Sequence, residues 1–277
     1  MRRPRTLLDW LRHALLHLPL DAGLLRARRG QRRQLLDRQL AWTLAFVAGA
    51  INAGGFLAVG VYTSHVTGSL SRAADELVLG HTRTALAALS LVLFFLAGAF
   101  TTGIFVQLGI RLRLRGRYAL ALAFEALLLV LFGLRGTALA LHTELLVPLT
   151  VVLLCFLMGM HNAVVTHISS AVVRTTHMTG VVTDIGIELA RWTVGHGHGH
   201  GPPGEHDRAL RSRLTLHAMI LASFFAGGLV GAVGFSELGY PISLAFAFLL
   251  LALAVRPIAL DLRLRARHGR LRRSRLD

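Results

Sequence analysis

One carboxylate stands alone in a long apolar run and is the residue best suited to chemistry inside a membrane. Glu125 is the only charged residue between positions 118 and 134. An ionisable group within a bilayer is costly, and such groups commonly carry protons beside a basic partner. We predict that Glu125 is a proton carrier whose partner is a His or Arg of a neighbouring helix. The structural alternative is a protonated carboxyl that only packs among apolar side chains.

Two amides occupy similar apolar surroundings. Asn52 and Asn162 each lie in a run that has few other polar side chains. A buried amide without hydrogen-bond partners costs roughly 2–7 kcal/mol. The two residues could therefore bind a ligand or ion, or they could join helices through hydrogen bonds worth about 0.6–2 kcal/mol each. Both interpretations stay open, and we treat both amides as candidate substrate ligands.

A short His-x-Thr-Gly motif occurs twice, and a carboxylate follows its second copy. Glycine lets the backbone approach a ligand closely, and the threonine hydroxyl can cap the helix that begins there. A helix N-terminus beside a histidine favours an anionic group, whereas plain capping is the structural alternative. The residues that we predict to bind a solute here are His65, Thr67, Gly68, His177, Thr179, Gly180 and Asp184.

A loop that alternates histidine with glycine follows the second motif. The segment HGHGHGPPGEH (196–206) offers imidazoles at His196, His198 and His200, which can bind Zn²⁺ or Ni²⁺ weakly. The loop lacks the rigid, spaced ligands of a structural metal site, so we predict no resident metal and no other cofactor. The chain also has no P-loop, no Gly-x-Ser-x-Gly, no His-Glu-x-x-His and no Cys-x-x-Cys motif. We therefore do not expect an enzyme.

The elements that must position these residues are long apolar helices. The chain of 277 residues is 54% hydrophobic, and its mean hydropathy is +0.58. About 20 apolar residues in a helix cross a hydrocarbon core roughly 30 Å thick. We therefore predict an all-α membrane protein. The predicted membrane helices lie at about 40–61, 85–109, 118–134, 145–167, 215–235 and 240–256.

Two less apolar stretches, at about 65–80 and 176–192, carry charges, and the positive-inside rule indicates where they lie. If neither crosses the membrane, the arginine-rich segments at 111–117, 191–213 and 263–275 share the cytoplasmic side with the N-terminus. If the first stretch crossed, RLRLRGR (111–117) would lie outside. We therefore predict six transmembrane helices plus two short polar helices, with both termini in the cytoplasm.

Two parts of the chain match each other. The matched segments are FVAGAINA (46–53) with FLMGMHNA (156–163), SHVTG (64–68) with THMTG (176–180), and more weakly FFLAG (94–98) with FFAGG (224–228). The match pairs Asn52 with Asn162 and His65 with His177. Each repeat, about 40–134 and about 145–256, holds three predicted membrane helices. Because three is odd, the two repeats must be inverted relative to each other, as in many transporters.

The repeated elements resemble those of a known family. A Gly-x-x-Asn-Ala element, a His-x-Thr-Gly element and RTTHMTGVVTD (174–184) are similar to the YoaK-type bacterial inner-membrane proteins, a family carried as a domain of unknown function. The resemblance covers roughly residues 40–258. It implies a multi-pass protein of the bacterial inner (plasma) membrane, and it implies no established substrate or reaction. Ser69 departs from the family pattern, which more often has Asn after the first motif.

Basic segments flank the predicted membrane domain of residues 40–258. Residues 1–39 form a basic cytoplasmic segment with an amphipathic helix at 6–18, for which a disordered basic leader is the alternative. Residues 259–277 form a basic cytoplasmic tail. The net charge of +16 lies outside the apolar runs. It therefore indicates contact with anionic lipid and not with nucleic acid, and a homo-oligomer is compatible with the sequence.

The leading functional hypothesis is a secondary transporter or permease for a small polar or anionic solute. The paired motifs would line a site near the membrane midplane, and Glu125 would carry the coupling proton. The alternative is a non-transporting membrane scaffold or sensor in which the motifs only hold helices together. Divalent-metal handling through the His-Gly loop is a lesser alternative. The sequence does not identify the substrate.

Overall fold

The computed structural model describes residues 29–112, 114, 118–140, 149–168, 177–194 and 205–255. The amphipathic segment at 6–18, the basic tail at 259–277, and the loop with His196, His198 and His200 lie outside these ranges. The predictions for those three segments therefore stay predictions.

The described residues form helices and short connections, and no β-strand occurs among them. Leucine and alanine favour helices, and a helix satisfies its own backbone groups where lipid offers no partners. The helices are α1 (Arg29–Val59), α2 (Val66–Val78), α3 (Thr82–Arg111), α4 (Ala119–Ala140), α5 (Leu149–Ile168), α6 (Met178–Val194), α7 (Glu205–Leu238) and α8 (243–255), which follows a 3-10 turn at Tyr240–Ile242.

Each predicted helix in the described ranges has a counterpart. The six apolar runs correspond to α1, α3, α4, α5, α7 and α8, and the two polar stretches correspond to α2 and α6. Four helices contain segments long and apolar enough to cross a membrane. These segments are Arg38–Val59, Thr82–Arg111, Leu149–His167 and Arg208–Leu238, and shorter apolar segments lie at Ala119–Leu134 and Tyr240–Val255. The described part of the chain is thus all-helical, with the long apolar helices of a membrane protein.

Two helices begin well before their apolar spans. α1 starts at Arg29 although its apolar span starts at Arg38, and α7 starts at Glu205 although the predicted run starts near 215. Arginine, glutamine and leucine are good helix formers, so a charged segment can extend a helix at little cost. The predicted boundary near residue 40 therefore lies within one continuous helix.

α1 and α5 form the centre of the bundle. Of their apolar spans, 50% and 61% lie inside the protein, against 17% for α3 and 22% for α7. α7 packs along α1, α3 packs along α5, and α1 contacts α5. α1 meets α7 through Gly49 and meets α5 through Leu44 and Gly55. These four helices therefore form a row in the order α7, α1, α5, α3.

Paired contacts fix the directions of the outer helices relative to the central ones. Two helices run parallel when, from one contact to the next, the residue numbers increase in both helices. This is the case for α1 with α7 and for α3 with α5. The contacts are Arg38 with Ser212 and Gly54 with Phe235 for the first pair, and Gly98 with Phe156 and Thr102 with Met160 for the second.

The two central helices run in opposite directions. Leu44, near the start of the apolar span of α1, meets His161 in the second half of α5, and Gly55 near the end of α1 meets Leu154 in the first half of α5. Because α3 is parallel to α5, α3 also runs opposite to α1. The chain consequently enters α3 from the side on which α1 ends, and α2 lies between these two points. By the same reasoning α6 lies on the side on which α5 ends and α7 begins.

Glycines make both parallel crossings close. In each crossing, a glycine of each helix lies against the backbone carbonyl of a phenylalanine on the other helix. A Cβ at any of these glycines would fall well inside van der Waals contact. The pairs are Gly49 with Phe224, Gly227 with Phe46, Gly98 with Phe156, and Gly159 with Phe95. Such small-residue crossings are typical of helices that associate within lipid, where close packing replaces the hydrophobic effect.

α4 and α8 form a second, antiparallel pair. The Ser243 hydroxyl at the start of α8 donates to the Leu129 carbonyl of α4 at 3.1 Å. Gly136, further along α4, lies against the ring of Tyr240. That ring also meets Phe132 edge-on, with ring centres 5.2 Å apart. α4 additionally packs on α5, and this contact contains the buried polar residues described next.

Candidate functional site

A carboxylate and an imidazole meet at the contact of α4, α5 and α1. Glu125 and His161 are both 0% exposed, and Nδ1 of His161 lies 2.6 Å from Oε1 of Glu125. Apolar residues flank Glu125 in α4, and Glu125 is the only residue with an ionisable side chain between positions 119 and 134 of that helix. The prediction that Glu125 has a basic partner on a neighbouring helix agrees with this contact. Its role as a proton carrier stays a prediction.

The second nitrogen of His161 fixes the protonation of the ring. Nε2 lies 2.9 Å from the backbone carbonyl oxygen of Leu44 on α1. A carbonyl oxygen only accepts hydrogen bonds, so Nε2 must carry a proton. One further proton must lie between Nδ1 and Oε1 to make that short contact a hydrogen bond. With this shared proton the pair as a whole is neutral, whichever of the two atoms holds it.

Within the described part of the chain, the other carboxylate oxygen of Glu125, Oε2, lacks a hydrogen bond like the one that Oε1 makes. Oε2 is buried and has no hydrogen-bond partner among the described residues. A buried acceptor without a donor usually costs about 1–3 kcal/mol. Such orphan atoms in a native structure commonly mark an unseen water or a functional role. Oε2 is therefore the atom of the pair that can accept a further donor without loss of an existing bond.

The pair lies nearer one end of its helices than the other. The Tyr118 hydroxyl donates to the His167 carbonyl at 3.1 Å, where α4 begins and α5 ends. Glu125 follows Tyr118 by seven residues along α4. At 1.5 Å per residue, the pair lies about 10 Å from that end of the bundle.

No other charge stands beside the pair on the described parts of the helices that surround it. The remaining charged or imidazole residues of these helices all lie at least six residues along the helix from Leu44, Glu125 or His161, namely Arg29, Arg32, Arg33, Asp37 and Arg38 in α1, Arg83 and Arg111 at the two ends of α3, Arg135 in α4 and His167 in α5. A second buried carboxylate–imidazole contact, between Glu188 and His217, is on the far side of α1. Any charge that the pair gains is thus uncompensated by neighbouring side chains.

Asn52 anchors the connection that leads into α2. Its Oδ1 accepts hydrogen bonds from the Ser64 hydroxyl at 2.8 Å and from the Ser64 backbone N–H at 3.4 Å. This contact ties the residue just before His65 back to the body of α1. The amide oxygen therefore has a partner within its own half of the chain, in a connection and not in a second helix, and the assignment of Asn52 as a substrate ligand stays a prediction.

Ser64→Ala should lower the stability of the purified protein by about 1 kcal/mol, because it removes the hydroxyl bond to Asn52. The matched control is Ser69→Ala, since the Ser69 hydroxyl is exposed and donates only to the His65 carbonyl at 3.1 Å, one turn back along the chain. Thermal unfolding in detergent measures both changes. If the two variants unfold alike, Asn52 does not hold this connection.

Asn162 lies beside the buried pair but on another face of its helix. Its Nδ2 donates to the Met158 carbonyl at 3.0 Å, and the Thr166 hydroxyl donates to the Asn162 carbonyl at 2.8 Å. Successive residues of an α-helix are about 100° apart, so Asn162 does not point in the same direction as His161. Its assignment as a substrate ligand stays a prediction.

Each His-x-Thr-Gly motif begins a short polar helix, and in both the imidazole ring lies over the glycine. A Cβ on Gly68 would overlap the His65 ring, and one on Gly180 would overlap the His177 ring. His65 is the N-cap residue of α2 and makes no side-chain capping bond. Thr67 and Thr179 lie inside the first turn of their helices, so the expectation that threonine caps these helices is wrong. Glycine is needed here because only it leaves room for the ring.

The two motifs present their polar groups outward. His65, Thr67, His177, Thr179 and Asp184 are exposed, whereas the two glycines are half-buried. Their binding roles stay predictions. Both polar helices also carry a Glu–His contact: Glu76 meets His81 at 2.8 Å in an exposed position, and Glu188 meets His217 at 3.1 Å in a buried one. These contacts join α2 to the start of α3, and α6 to α7.

Two histidines in buried pairs were missed from the sequence, His161 and His217. A signal for the first was present, because the repeat alignment places His161 where the first half has Ile51. An imidazole in place of a buried aliphatic side chain needs a polar partner. Among the described residues, no group of three or more His, Cys, Asp or Glu side chains could hold a metal ion. The weak metal candidates His196, His198 and His200 are outside those residues.

Comparison with known proteins identifies the family of the chain. Residues 40–256 match the family described as "Protein of unknown function (DUF1275)". No curated protein and no solved structure matches the sequence. The match covers most of the chain, so the protein belongs to this family, which confirms the resemblance to a family of unknown function.

Proposed function

We propose that this member of the family is a secondary transporter or permease for a small polar or anionic solute, coupled to protons through Glu125. The observation that carries the proposal is the Glu125–His161 pair, which is fully buried between apolar helices. Ionisable groups at such positions are expensive to maintain and commonly mark proton or substrate pathways. The aligned position in the first half is Ile51, which is 2% exposed. An aliphatic side chain therefore suffices for packing at this position of the repeat. Packing alone does not explain why the second repeat has the imidazole of His161 there.

The proposed architecture is a pair of inverted repeats. The contacts support it, because Gly49 on Phe224 and Gly159 on Phe95 are related by the sequence repeat, as are Phe46 on Gly227 and Phe156 on Gly98. These contacts pair Phe95 with Phe224 and Gly98 with Gly227, one residue away from the match of FFLAG with FFAGG. The opposite directions of α1 and α5 are those that an inverted repeat requires.

We further propose that the chain crosses the membrane six times, with α2 on the outer side and α6 on the cytoplasmic side. The directions support this, because α3 runs opposite to α1 although α2 lies between them. α4, with 22 residues, and α8, described as far as residue 255, would be the remaining two crossings. The two His-x-Thr-Gly motifs would then face opposite compartments, where they would receive the solute on either side.

Cysteine labelling should reveal this topology, because the sole native cysteine, Cys155, is buried. In a Cys155→Ala background, Leu79→Cys lies after α2, at a position 66% exposed. It should react with a membrane-impermeant maleimide added to intact cells. Arg208→Cys, at the exposed start of α7, should react only after permeabilisation. Reaction of both positions in intact cells would contradict six crossings, and the reverse pattern would contradict the proposed orientation.

Transport itself is tested by uptake into proteoliposomes under an inward proton gradient. The probes are radiolabelled acetate, formate, phosphate, sulfate and glycerol, which sample anionic and neutral polar solutes. We expect uptake of at least one probe above protein-free liposomes, and loss of that uptake in Glu125→Gln. The matched control is Glu237→Gln, because Glu237 is an exposed carboxylate on α7. Uptake that is absent for all probes, or unchanged in Glu125→Gln, would argue against the proposal.

A scaffold or sensor is the second candidate function, and one observation favours it. The side-chain oxygen of Asn52, a predicted substrate ligand, accepts a hydrogen bond from the Ser64 hydroxyl. If Ser64→Ala and Asn52→Ala lower stability and leave solute uptake unchanged, Asn52 is structural only. Absence of uptake for every probe, together with intact folding, would favour the scaffold.

Anionic lipid is the partner that we propose for the basic side of the bundle. Arg111 at the end of α3, and Arg208, Arg211 and Arg213 at the start of α7, are exposed. The helix directions place these ends together with the start of α1. Phosphatidylglycerol should stabilise the purified protein more than phosphatidylcholine, because each arginine near an anionic surface gains about 1 kcal/mol. Substitution of the three α7 arginines by Gln should reduce this difference, whereas Arg72→Gln with Arg83→Gln should retain it in full.

A further inference from the structure

The hydrogen bonds of the buried pair determine which of its atoms can exchange a proton. Nε2 of His161 is occupied by the Leu44 carbonyl, and Nδ1 and Oε1 share one proton. Loss of the shared proton would leave the pair with a net negative charge and place two lone pairs 2.6 Å apart. Such a state would break the hydrogen bond between Glu125 and His161. Gain of a proton is possible at only one site without breaking a bond, which is Oε2 of Glu125.

We propose that the pair binds a second proton at Oε2, becomes cationic, and in that state takes a small monovalent anion as its co-substrate. A hydronium ion gives its proton to an Oε2 lone pair and is left as water. The new carboxyl group then accepts, at Oε1, the hydrogen bond of a now fully protonated imidazolium. This inference rests on the proposed transport function, and it names the ion coupling and the solute class of that same site.

The argument for an anion is electrostatic. The loaded pair carries one positive charge in a region where both side chains are 0% exposed. Apart from Glu125 itself, no carboxylate occurs in α1 from Arg38 onward, or in α3, α4 and α5, which pack around the pair, so none of these segments balances that charge. The Leu44 carbonyl already accepts from Nε2 of His161, so it provides no additional acceptor for the second proton. A buried charge without a partner is strongly disfavoured, so loading is stable only when an anion enters with the proton.

His161 is a positioning residue in this scheme. Its two hydrogen bonds hold Glu125 through Oε1 and leave Oε2 as the exchangeable atom. A residue with a merely structural role would not alter how the Glu125 carboxyl titrates. His161→Asn keeps a polar side chain at this position, and it should move the acidity at which Glu125 becomes protonated.

Infrared difference spectroscopy of the full-length protein in lipid vesicles tests the proposal. Acidification should produce the carbonyl stretch of a protonated carboxyl group, and this band should disappear in Glu125→Gln and shift its pH dependence in His161→Asn. Glu237→Gln, which alters an exposed carboxylate, should retain the wild-type band. Nitrate should increase the band at a fixed acidic pH relative to gluconate, because gluconate is larger than the proposed anion.

The possible outcomes separate this inference from the transport function. A band that persists in Glu125→Gln, or that does not grow on acidification, overturns proton loading at Oε2. A band that is equal in nitrate and gluconate overturns the anion. If Glu125→Gln does not fold, as judged by circular dichroism and by its elution, Glu125→Asp replaces it and should shift the band. A Glu125-dependent band without uptake of any solute would retain the proton site and reject transport.

Discussion

Removal of one partner of the Glu125–His161 pair should destabilise the protein far more than removal of both. Glu125→Leu leaves Nδ1 of His161 buried without its partner, and His161→Leu does the same to the carboxyl group of Glu125. Loss of one member of a buried pair typically costs about 3–5 kcal/mol. The double variant places two aliphatic side chains in an apolar core, so its loss should be much smaller. Chemical or thermal unfolding of the purified protein in detergent gives the three values.

A matched exposed carboxylate distinguishes this effect from general damage. Glu237 is exposed near the end of α7, and Glu237→Leu should change the stability by less than about 0.5 kcal/mol. If the losses in Glu125→Leu and His161→Leu simply add in the double variant, the two residues are not coupled. Additivity would contradict the hydrogen bond on which the site is built.

Alanine at Gly98 should strongly destabilise the bundle, whereas alanine at Gly103 on the same helix should not. A Cβ on Gly98 would overlap the Phe156 carbonyl of α5, and one on Gly103 would meet nothing within contact distance. The first change must push α3 away from α5, at a cost of about 1–3 kcal/mol or more. The second should gain up to about 1 kcal/mol, because alanine favours helix over glycine. Thermal unfolding of the two variants against wild type measures the difference.

The inverted-repeat proposal extends this prediction to the other crossing. Gly227, which lies against the Phe46 carbonyl, is the counterpart of Gly98. Gly227→Ala should therefore destabilise the protein by a similar amount. Equal stability of Gly98→Ala and Gly103→Ala would show that α3 and α5 are not closely packed. A large loss at Gly98 with none at Gly227 would instead contradict the equivalence of the two crossings.

The helices of the membrane domain could be predicted from sequence because each is an apolar run long enough to be recognised alone. Their ends could not, since charged residues continue α1 and α7 beyond the apolar spans. The two polar helices were also predictable, because His-x-Thr-Gly motifs and charges separate them from their neighbours. The structural role of the His-x-Thr-Gly motif differs from the one expected. Its glycine leaves room for the histidine ring, and its threonine does not cap the helix.

The buried pair illustrates what sequence could not supply. Glu125 stood out because a lone carboxylate in an apolar run is conspicuous. His161 lies 36 residues away, beside Asn162, which is the candidate site residue of that helix. Tertiary packing decides which helix faces α4, so the partner of Glu125 could not be identified from sequence. The role of the Leu44 carbonyl was also beyond prediction, because a backbone acceptor has no signature in the sequence. Asn52 shows the opposite case, since its bond to Ser64 spans only one short connection.

The most direct test of proton-coupled transport is the pH inside proteoliposomes that contain a trapped pH-sensitive dye. An inward gradient of the solute found in the uptake assay is imposed, with no initial pH difference. Acidification of the lumen is expected with the wild-type protein and with Glu237→Gln, and none is expected with Glu125→Gln, because the proposed coupling proton binds at Oε2 of Glu125. Solute entry without acidification, or acidification that is unchanged in Glu125→Gln, would contradict the central role of the Glu125–His161 pair.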